Sequence, residues 1–345
     1  MIRDAANLGV HATRAASPLL RPKPLFSAWL LLLALPLLSL GEERPSLVRH
    51  EATAEVMGCT FGIAAYGPDR DALRQPVESA FDEARTIDGW LSNYRPYSEL
   101  SRLNRNAAAP VRVSGELFEL LSEAAGFSRA SEGAFDMTVG PLVRAWGFHD
   151  GHGALPNTTA LQEARDVVGY QLVELNSART TVHFTRSGVE LDPGGIGKGY
   201  AVDRMVDVLR RAGVESALVN ACHSSVYGLG FPPKNPRGWL IEIDSPGGGA
   251  TEQVFLKDQS LSTSGSQERF FEADGRVYSH ILDPRTGHPA QGLLAVSVVA
   301  STALESEVWS TVVFVNGLDW ASRNLGEFTV YGCPAGGACR WIRHP

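Results

Sequence analysis

The sequence has few cysteines and no cysteine pattern typical of a metal site. It contains four Cys in 345 residues, and neither a Cys-x-x-Cys pair nor a paired His spacing accompanies them, which argues against a zinc site and a disulfide-built framework. Cys333 and Cys339 lie close together in a glycine-rich tail and could close a small loop, whereas Cys59 and Cys222 are far apart in the chain. We expect Cys222 to be a buried structural thiol.

The chain also lacks a long basic run. Lys and Arg together number 31 and Asp and Glu 38, which gives a net charge of −7. This balance predicts no nucleic acid partner. Hydrophobic residues make up 44% and charged residues 20%, a composition that excludes a disordered chain and is typical of a globular enzyme.

No apolar run is long enough for a comfortable membrane span. The run at 25–40 has about 16 residues, fewer than the ~20 that cross a bilayer. Basic residues precede it within 14–23, and Ser39 and Gly41 occupy the −3 and −1 places of a cleavage pattern. These features predict a signal peptide and export to a periplasmic or other extracytoplasmic compartment. The alternative is an uncleaved signal that anchors the chain to a membrane.

The predicted domain organisation follows from this leader. We expect a signal peptide at 1–41, a short linker at 42–53, and one domain at 54–345 that includes a cysteine-containing tail at 332–345. Neither an internal repeat nor a long linker is visible.

The remaining sequence mixes helical and strand patterns. Apolar spacing predicts helices at 71–91, from Ser114 as the N-cap, at 200–211 with Gly213 as the stop, and at 305–316 as the last helix, closed by Gly317. β-Branched runs predict strands at 217–220, 240–243, 253–256 and 295–300. Strands without a regular βαβ alternation indicate an α+β fold, in one compact domain or in two intimately joined halves.

One glycine-rich segment has a plain chemical interpretation. At 191–203 the sequence LDPGGIGKGYAVD leads from a strand into a helix. Glycines at a helix N-terminus let backbone N–H groups approach an anion, and Lys198 adds a positive charge. The segment matches neither a Walker loop nor a dinucleotide-binding fingerprint. Together with Asp192, it indicates a phosphate-bearing ligand.

Two further places carry residues suited to catalysis. His280 lies in a turn-rich stretch among Ser, Asp, Arg and Thr, which favours a functional role over a structural one. Glu307 and Thr311 are four residues apart on a predicted helix and share a face. A carboxylate beside a hydroxyl suits Mg²⁺, although on spacing alone an ordinary polar helix flank is the simpler explanation.

Five motifs together resemble one family. In chain order they are MGCTF at 57–61, NYRP with SELSRLN at 93–104, FDMTVGPLV at 135–143, GGIGKGYAVD at 194–203, and SHILDPRTG at 279–287. This series is similar to the ApbE family over about residues 55–317. The resemblance implies an ApbE/T-fold-like α+β fold, with mainly antiparallel sheets flanked by helices.

The family resemblance also implies an activity and its residues. It implies a Mg²⁺-dependent FAD:protein FMN transferase, which attaches the FMN half of FAD to Thr or Ser of an acceptor protein and releases AMP. His280 is implied as the catalytic base, and the Tyr94 ring as a stacking face for flavin. The implied FAD contacts are Met57, Tyr94, Ala134, Phe135, Asp136, Asp192, Lys198 and the backbone near Ile281; the implied Mg²⁺ ligands are the Gly195 carbonyl, Glu307 and Thr311.

The chain departs from the family pattern at two places. Glu307 stands where the family usually has Asp, and the sequence CHSS at 222–225 replaces Gly-Gly-Asp. We expect His223 to be a structural or pocket-lining residue. Two alternatives to the transferase therefore stay open: a pyrophosphatase that splits FAD into FMN and AMP, and a non-catalytic FAD-binding protein. The implied acceptor is an exported or membrane redox subunit.

Overall fold

The structure is a computed structural model that describes residues 2–4, 47–246, 251–326 and 328–343. Except for residues 2–4, the predicted signal peptide lies outside the described residues, and so does the apolar run at 25–40. Within the described part of the chain, every helix is too short or too polar to cross a membrane. The predicted domain boundaries stay predictions.

Helices and strands alternate irregularly along the chain. The helices of the described residues are α1 (Arg70–Leu91), α2 (Glu99–Asn106), α3 (Gly115–Ala130), α4 (Gly140–Ala145), α5 (Thr158–Arg165), α6 (Gly197–Arg211), α7 (Ala303–Asn316) and α8 (Leu318–Asn324). The strands are β1 (Ile2–Asp4), β2 (Val48–Val56), β3 (Cys59–Gly67), β4 (Val111–Arg112), β5 (Val173–Asn176), β6 (Thr181–Phe184), β7 (Ser216–Ala221), β8 (Ser225–Leu229), β9 (Trp239–Ile243), β10 (Glu252–Leu256), β11 (Gln259–Gly265), β12 (Phe270–Ala273), β13 (Arg276–Ser279), β14 (Leu282–Asp283), β15 (His288–Pro289), β16 (Leu293–Ala300), β17 (Thr329–Pro334) and β18 (Arg340–Arg343).

An eight-stranded antiparallel sheet forms the centre of the molecule. Its strand order is β18-β17-β16-β11-β8-β7-β3-β2. Successive residues of a strand point to opposite faces, so Ile63 packs into the core beneath α1, α6 and α7 while Ala64 packs against β9 and β10. The smaller sheets are β1-β9-β10, β4-β6-β5, β12-β13 and β14-β15. The predicted α+β fold of mainly antiparallel sheets flanked by helices is confirmed.

The predicted helices are present, but their first and last residues do not always match the prediction. Ser114 caps α3, since its hydroxyl accepts the Leu117 N–H at 3.3 Å. Helix α6 begins at Gly197, three residues before the predicted start, so its glycines belong to the first turn. The prediction that the helix closed by Gly317 is the last one is wrong. At φ 86° Gly317 redirects the chain, and α8 follows directly.

The prediction of a structural thiol at Cys222 is wrong. Cys222 forms a disulfide with Cys59, 163 positions away in the sequence. Pairing of β3 with β7 brings the start of one strand beside the end of the other, and this pairing has no signal in the sequence around either cysteine. Cys333 and Cys339 are joined in the predicted small loop.

Helices α6 and α7 meet closely at their N-termini. A side chain at Gly199 would place its Cβ 2.3 Å from the Ala303 carbonyl oxygen, so only glycine allows this approach. The Asp203 carboxylate accepts the N–H groups of Ala303 and Leu304 at 2.7 and 2.8 Å, which caps α7 and favours the negative charge. Burial nevertheless raises the pKa of Asp203 from 3.8 to about 7.

Replacing Asp203 with asparagine is expected to change how stability depends on pH. Between pH 3.8 and about 7 the Asp203 carboxyl is protonated in the folded protein and ionised in the unfolded chain. The contribution of Asp203 to the free energy of unfolding is therefore complete below pH 3.8, the unfolded pKa, and is lost as pH rises through the folded pKa of about 7. Asparagine removes this slope and still accepts one helix N–H. Urea unfolding of both proteins at about pH 4.5 and 7.5 measures the difference. Identical pH slopes in the two proteins would contradict the prediction.

Candidate active site

One carboxylate oxygen of Glu307 is buried without a hydrogen-bond partner. The other oxygen, Oε2, accepts the Gly199 N–H at 2.6 Å. Oε1 has no hydrogen bond from the described residues, and the Lys198 Nζ lies 3.7 Å away. Burial raises the pKa of Glu307, while the charge of Lys198 and the Gly199 N–H oppose this rise. A buried carboxylate oxygen without a partner is unfavourable, so this position suits a cation.

The other predicted metal ligands lie beside this carboxylate. The Thr311 hydroxyl is one helical turn further along α7 and donates to the Glu307 carbonyl at 3.2 Å. A Cβ built on Gly195 would lie 3.7 Å from the Thr311 Oγ1, which places the 195 backbone next to the hydroxyl. The set of carbonyl, hydroxyl and one carboxylate matches the hard oxygen ligands of Mg²⁺. The structure therefore brings together the three residues predicted to bind Mg²⁺.

The described residues contain no cluster of three or more His, Cys, Asp or Glu that could hold a metal. The predicted set has only one charged ligand, so it is not a cluster of this kind. Mg²⁺ is often held by one or two carboxylates together with substrate phosphates. The longer Glu307 side chain also fits here, because one oxygen reaches Gly199 while the other remains for a cation.

His280 is held in a defined tautomer. Its backbone N–H and its Nδ1 both lie 3.0 Å from the Arg269 carbonyl oxygen. Because a carbonyl only accepts, we assign the proton to Nδ1 and leave Nε2 with a free lone pair. Burial lowers the pKa of His280 to about 4, and the nearby charges of Lys198 and Arg269 contribute in the same direction. The imidazole is therefore a neutral base at neutral pH.

Asp192 is fixed by neighbours from two other motifs. Its carboxylate accepts the Asn93 amide at 2.7 Å and the Gly194 N–H at 2.8 Å, and its own N–H donates to the Met137 carbonyl at 2.7 Å. Burial raises the pKa of Asp192, while these donors and the charge of His149 lower it. Three motifs that are distant in sequence thus meet at this residue.

Tyr94 presents an aromatic surface close to Asp192. Its side chain is 57% exposed, and its ring stacks on His149 with centroids 4.7 Å apart and planes 9° apart. A parallel ring pair of this kind has an outer face on which another planar ring can stack. The predicted flavin contact at Tyr94 stays a prediction.

Neighbouring residues of the third motif point in different directions. The Phe135 ring lies 3.4 Å from a Cβ built on Gly195 and so borders the predicted metal ligands. The Asp136 carboxylate turns away and accepts the N–H and hydroxyl of Thr138 and the Tyr170 N–H. Burial raises its pKa against these bonds. We therefore expect any FAD contact of Asp136 to come from its main chain.

Three further predicted FAD contacts have side chains that are buried or packed against the core. Ala134 and Ile281 are buried, with 1% and 8% exposure, so only their backbones are suited to ligand contact. Met57 lies in the β2–β3 turn with φ 52° and packs partly against the main core. The predicted roles of these three residues stay predictions.

Sequence reasoning missed several residues that shape the site. Asn93 lies within a recognised motif, but its bond to Asp192 depends on tertiary packing. His149 and Arg269 gave no signal, since one acts through its ring and the other through its carbonyl oxygen. Ser264, 3.4 Å from the Thr311 hydroxyl, lies in a Ser-rich strand whose face toward α7 is not visible in the sequence.

Comparisons with known proteins agree with these motifs. The model of the ApbE family matches residues 57–330. The chain is 34% identical over 277 residues to an FAD:protein FMN transferase of Klebsiella pneumoniae (strain 342), covering 78% of this chain and 83% of the relative. It is 33% identical over 300 residues to one of Treponema pallidum (strain Nichols), with coverage of 81% and 83%.

Solved structures show the same similarity in three dimensions. An ApbE protein from Thermotoga maritima superposes with a TM-score of 0.79 at 30% identity, covering 85% of this chain and 97% of the other. The apo form of the flavinyl transferase ApbE from Pseudomonas stutzeri gives 0.75 at 30% identity, with coverage of 86% and 95%. In sequence and in fold, the chain belongs to the ApbE family.

Proposed function

We propose that the chain is a Mg²⁺-dependent FAD:protein FMN transferase. In this reaction a Thr or Ser hydroxyl of an acceptor protein attacks the FMN-side phosphorus of FAD. A new phosphoester bond joins FMN to the acceptor, the bond to the other phosphate breaks, and AMP leaves. The names of the relatives support the reaction class, and the site residues support the cofactor and the proton transfer.

The observation that carries the proposal is the Glu307 oxygen that has no hydrogen bond from the described residues. It is buried on α7, faces Lys198 at 3.7 Å, and has the Thr311 hydroxyl one turn away. A site of this kind offers a place for a divalent cation next to the first turn of α6, where phosphate oxygens are also favoured. When bound, Mg²⁺ supplies charge neutralisation of the pyrophosphate.

The chain's own residues then perform four tasks. Lys198 offers a positive charge to the phosphate oxygens and to the charge that develops on the departing AMP. His280, neutral and with Nε2 free, accepts the proton of the acceptor hydroxyl. The Arg269 carbonyl keeps the imidazole in this tautomer, and Asn93 with Gly194 holds Asp192 in place.

We also propose that the protein works outside the cytoplasm, on an exported or membrane redox subunit. The leader pattern at 1–41 supports export. The disulfides Cys59–Cys222 and Cys333–Cys339 support an oxidising compartment. Alkaline phosphatase fused to the leader is expected to be active, and an inactive fusion would contradict export.

Replacing Thr311 with alanine tests the metal site within this function. We expect flavin transfer to fall about a hundredfold, because a ligand that supports developing charge is removed. FAD binding should change far less, since Lys198 and Asp192 remain. Thr311→Ser, which keeps the hydroxyl, is the matched control. Equal losses of FAD binding and of turnover in Thr311→Ala would count against a metal role.

A further inference from the structure

Two turns lie side by side at one end of the large sheet, and a disulfide joins them. Pairing of β3 with β7 brings together the β2–β3 turn at 57–58 and the β7–β8 turn at 222–224. The Cys222 N–H donates to the Thr60 carbonyl at 3.0 Å. The disulfide from Cys59 to Cys222 spans Cα atoms 5.5 Å apart. The turns are thus fixed to each other by backbone and covalent bonds.

The second turn has a backbone that glycine ordinarily adopts. Cys222 and His223 have φ angles of 57° and 56°, in the left-handed region that side chains disfavour. The family pattern has Gly-Gly at this place. Here the Asn220 side-chain oxygen accepts the His223 N–H at 3.1 Å, and the disulfide holds the preceding residue. A hydrogen bond and a disulfide therefore stabilise a turn that glycine would form without strain.

The second turn is connected to the candidate active site through strand β11. The carbonyl at the end of the second turn accepts the Thr263 N–H at 2.8 Å. The next residue, Ser264, has its hydroxyl 3.4 Å from that of Thr311. Cys59 is two residues from Met57, the predicted flavin contact. The disulfide thus connects the hairpin predicted to contact flavin with the strand beside a predicted metal ligand.

We propose that the Cys59–Cys222 disulfide is a positioning element of the FAD site. By keeping Cys222 in its left-handed conformation, it holds the second turn in the arrangement that accepts the flavin half of FAD, and this role rests on the proposed function. Both cysteines are half-buried. Reduction by dithiothreitol breaks the S–S bond, yields two protonated thiols, and oxidises the reagent to its cyclic disulfide. FAD affinity falls as a result.

Paired cysteine variants test the proposal with FAD itself as the probe. Cys59→Ser with Cys222→Ser is compared with Cys333→Ser with Cys339→Ser, which removes the tail disulfide instead. FAD is titrated into each variant in the presence of Mg²⁺, and binding is followed by flavin fluorescence. The temperature is one at which circular dichroism shows that every variant is folded. We expect the Kd for FAD to rise about tenfold in the first pair and less than about twofold in the second. Dithiothreitol should raise the Kd of the unmodified chain for FAD as much as the Cys59→Ser with Cys222→Ser substitutions do. Mass spectrometry counts the free thiols formed in this treatment.

A glycine variant separates positioning from stability. Glycine at 222 adopts the left-handed conformation without a covalent bond, so Cys59→Ser with Cys222→Gly should bind FAD within about threefold of the unmodified chain. Its melting temperature should stay below that of the unmodified chain, because it lacks the cross-link.

Each contrary result has a separate meaning. Unchanged FAD affinity in the folded serine pair would overturn the positioning role and leave the proposed function standing. A glycine variant that binds as weakly as the serine pair would also overturn it, since the turn conformation would not be the cause. A lack of FAD binding by the oxidised, unmodified chain would overturn the proposed function, and the positioning role with it.

Discussion

Replacing His280 with alanine is expected to leave FAD bound and to slow flavin transfer by about 10²–10⁴-fold, the usual contribution of a positioned general base. The structure gives the reason. The Arg269 carbonyl oxygen lies 3.0 Å from Nδ1, so Nε2 is the base. Alanine at this position removes that nitrogen. Transfer is measured as covalent flavin on the acceptor, and FAD binding by fluorescence in the same preparations.

The pH profile gives an independent measurement of the same residue. Because the pKa of His280 is lowered to about 4, its neutral form dominates at all higher pH values. Transfer should therefore lose its base only as pH falls to about 4, whereas an ordinary histidine would titrate near 6.5. His183→Ala, which removes a histidine paired with Glu174 in a distant small sheet, is the control. Full activity in His280→Ala would remove this residue from the mechanism.

Replacing Glu307 with glutamine is expected to slow transfer by about 10³-fold, comparable to the loss of a major group that stabilises transition-state charge. Glutamine has nearly the same shape and keeps an oxygen for the Gly199 N–H, so the α6–α7 contact should survive. Its neutral amide lacks the charge that a cation needs at the Oε1 position. The expected signature is a lost response of the melting temperature to Mg²⁺, measured without FAD.

A second substitution at this position tests the departure from the family pattern. Glu307→Asp restores the family's usual residue but shortens the side chain. In the unmodified chain the Gly199 nitrogen lies 2.6 Å from the Glu307 Oε2, and the shorter carboxylate reaches it less well. We expect this variant to keep part of its Mg²⁺ response and an activity between those of the unmodified chain and the glutamine variant. A glutamine variant that responds to Mg²⁺ and transfers flavin like the unmodified chain would contradict the metal assignment.

Local sequence signals were enough for part of the site. Glu307 and Thr311 stand four apart on a helix, a spacing that places them on one face in any helical context. The glycines around Lys198 indicated a helix N-terminus, which the structure places at Gly197. The fold class followed from strand and helix patterns, and the helix capped by Ser114 from its sequence.

The remaining features depend on contacts between distant segments. The Glu307 bond to Gly199 requires α6 to approach α7 closely, and the orientation of His280 requires the β12–β13 hairpin to bring Arg269 beside it. The Cys59–Cys222 bond requires the pairing of β3 with β7. Each arises from tertiary packing, and neither residue spacing nor composition encodes it locally.

The most direct measurement of the proposed activity follows both halves of FAD in one reaction. The purified chain is incubated with Mg²⁺, FAD and a candidate acceptor domain, with the His280→Ala chain in parallel. The proposed function predicts flavin that stays on the acceptor after denaturation, an FMN mass increment on a Thr or Ser, and AMP in equal amount. Release of AMP and free FMN without labelled acceptor would contradict it and show a pyrophosphatase. Bound but intact FAD would show a binding protein without catalysis.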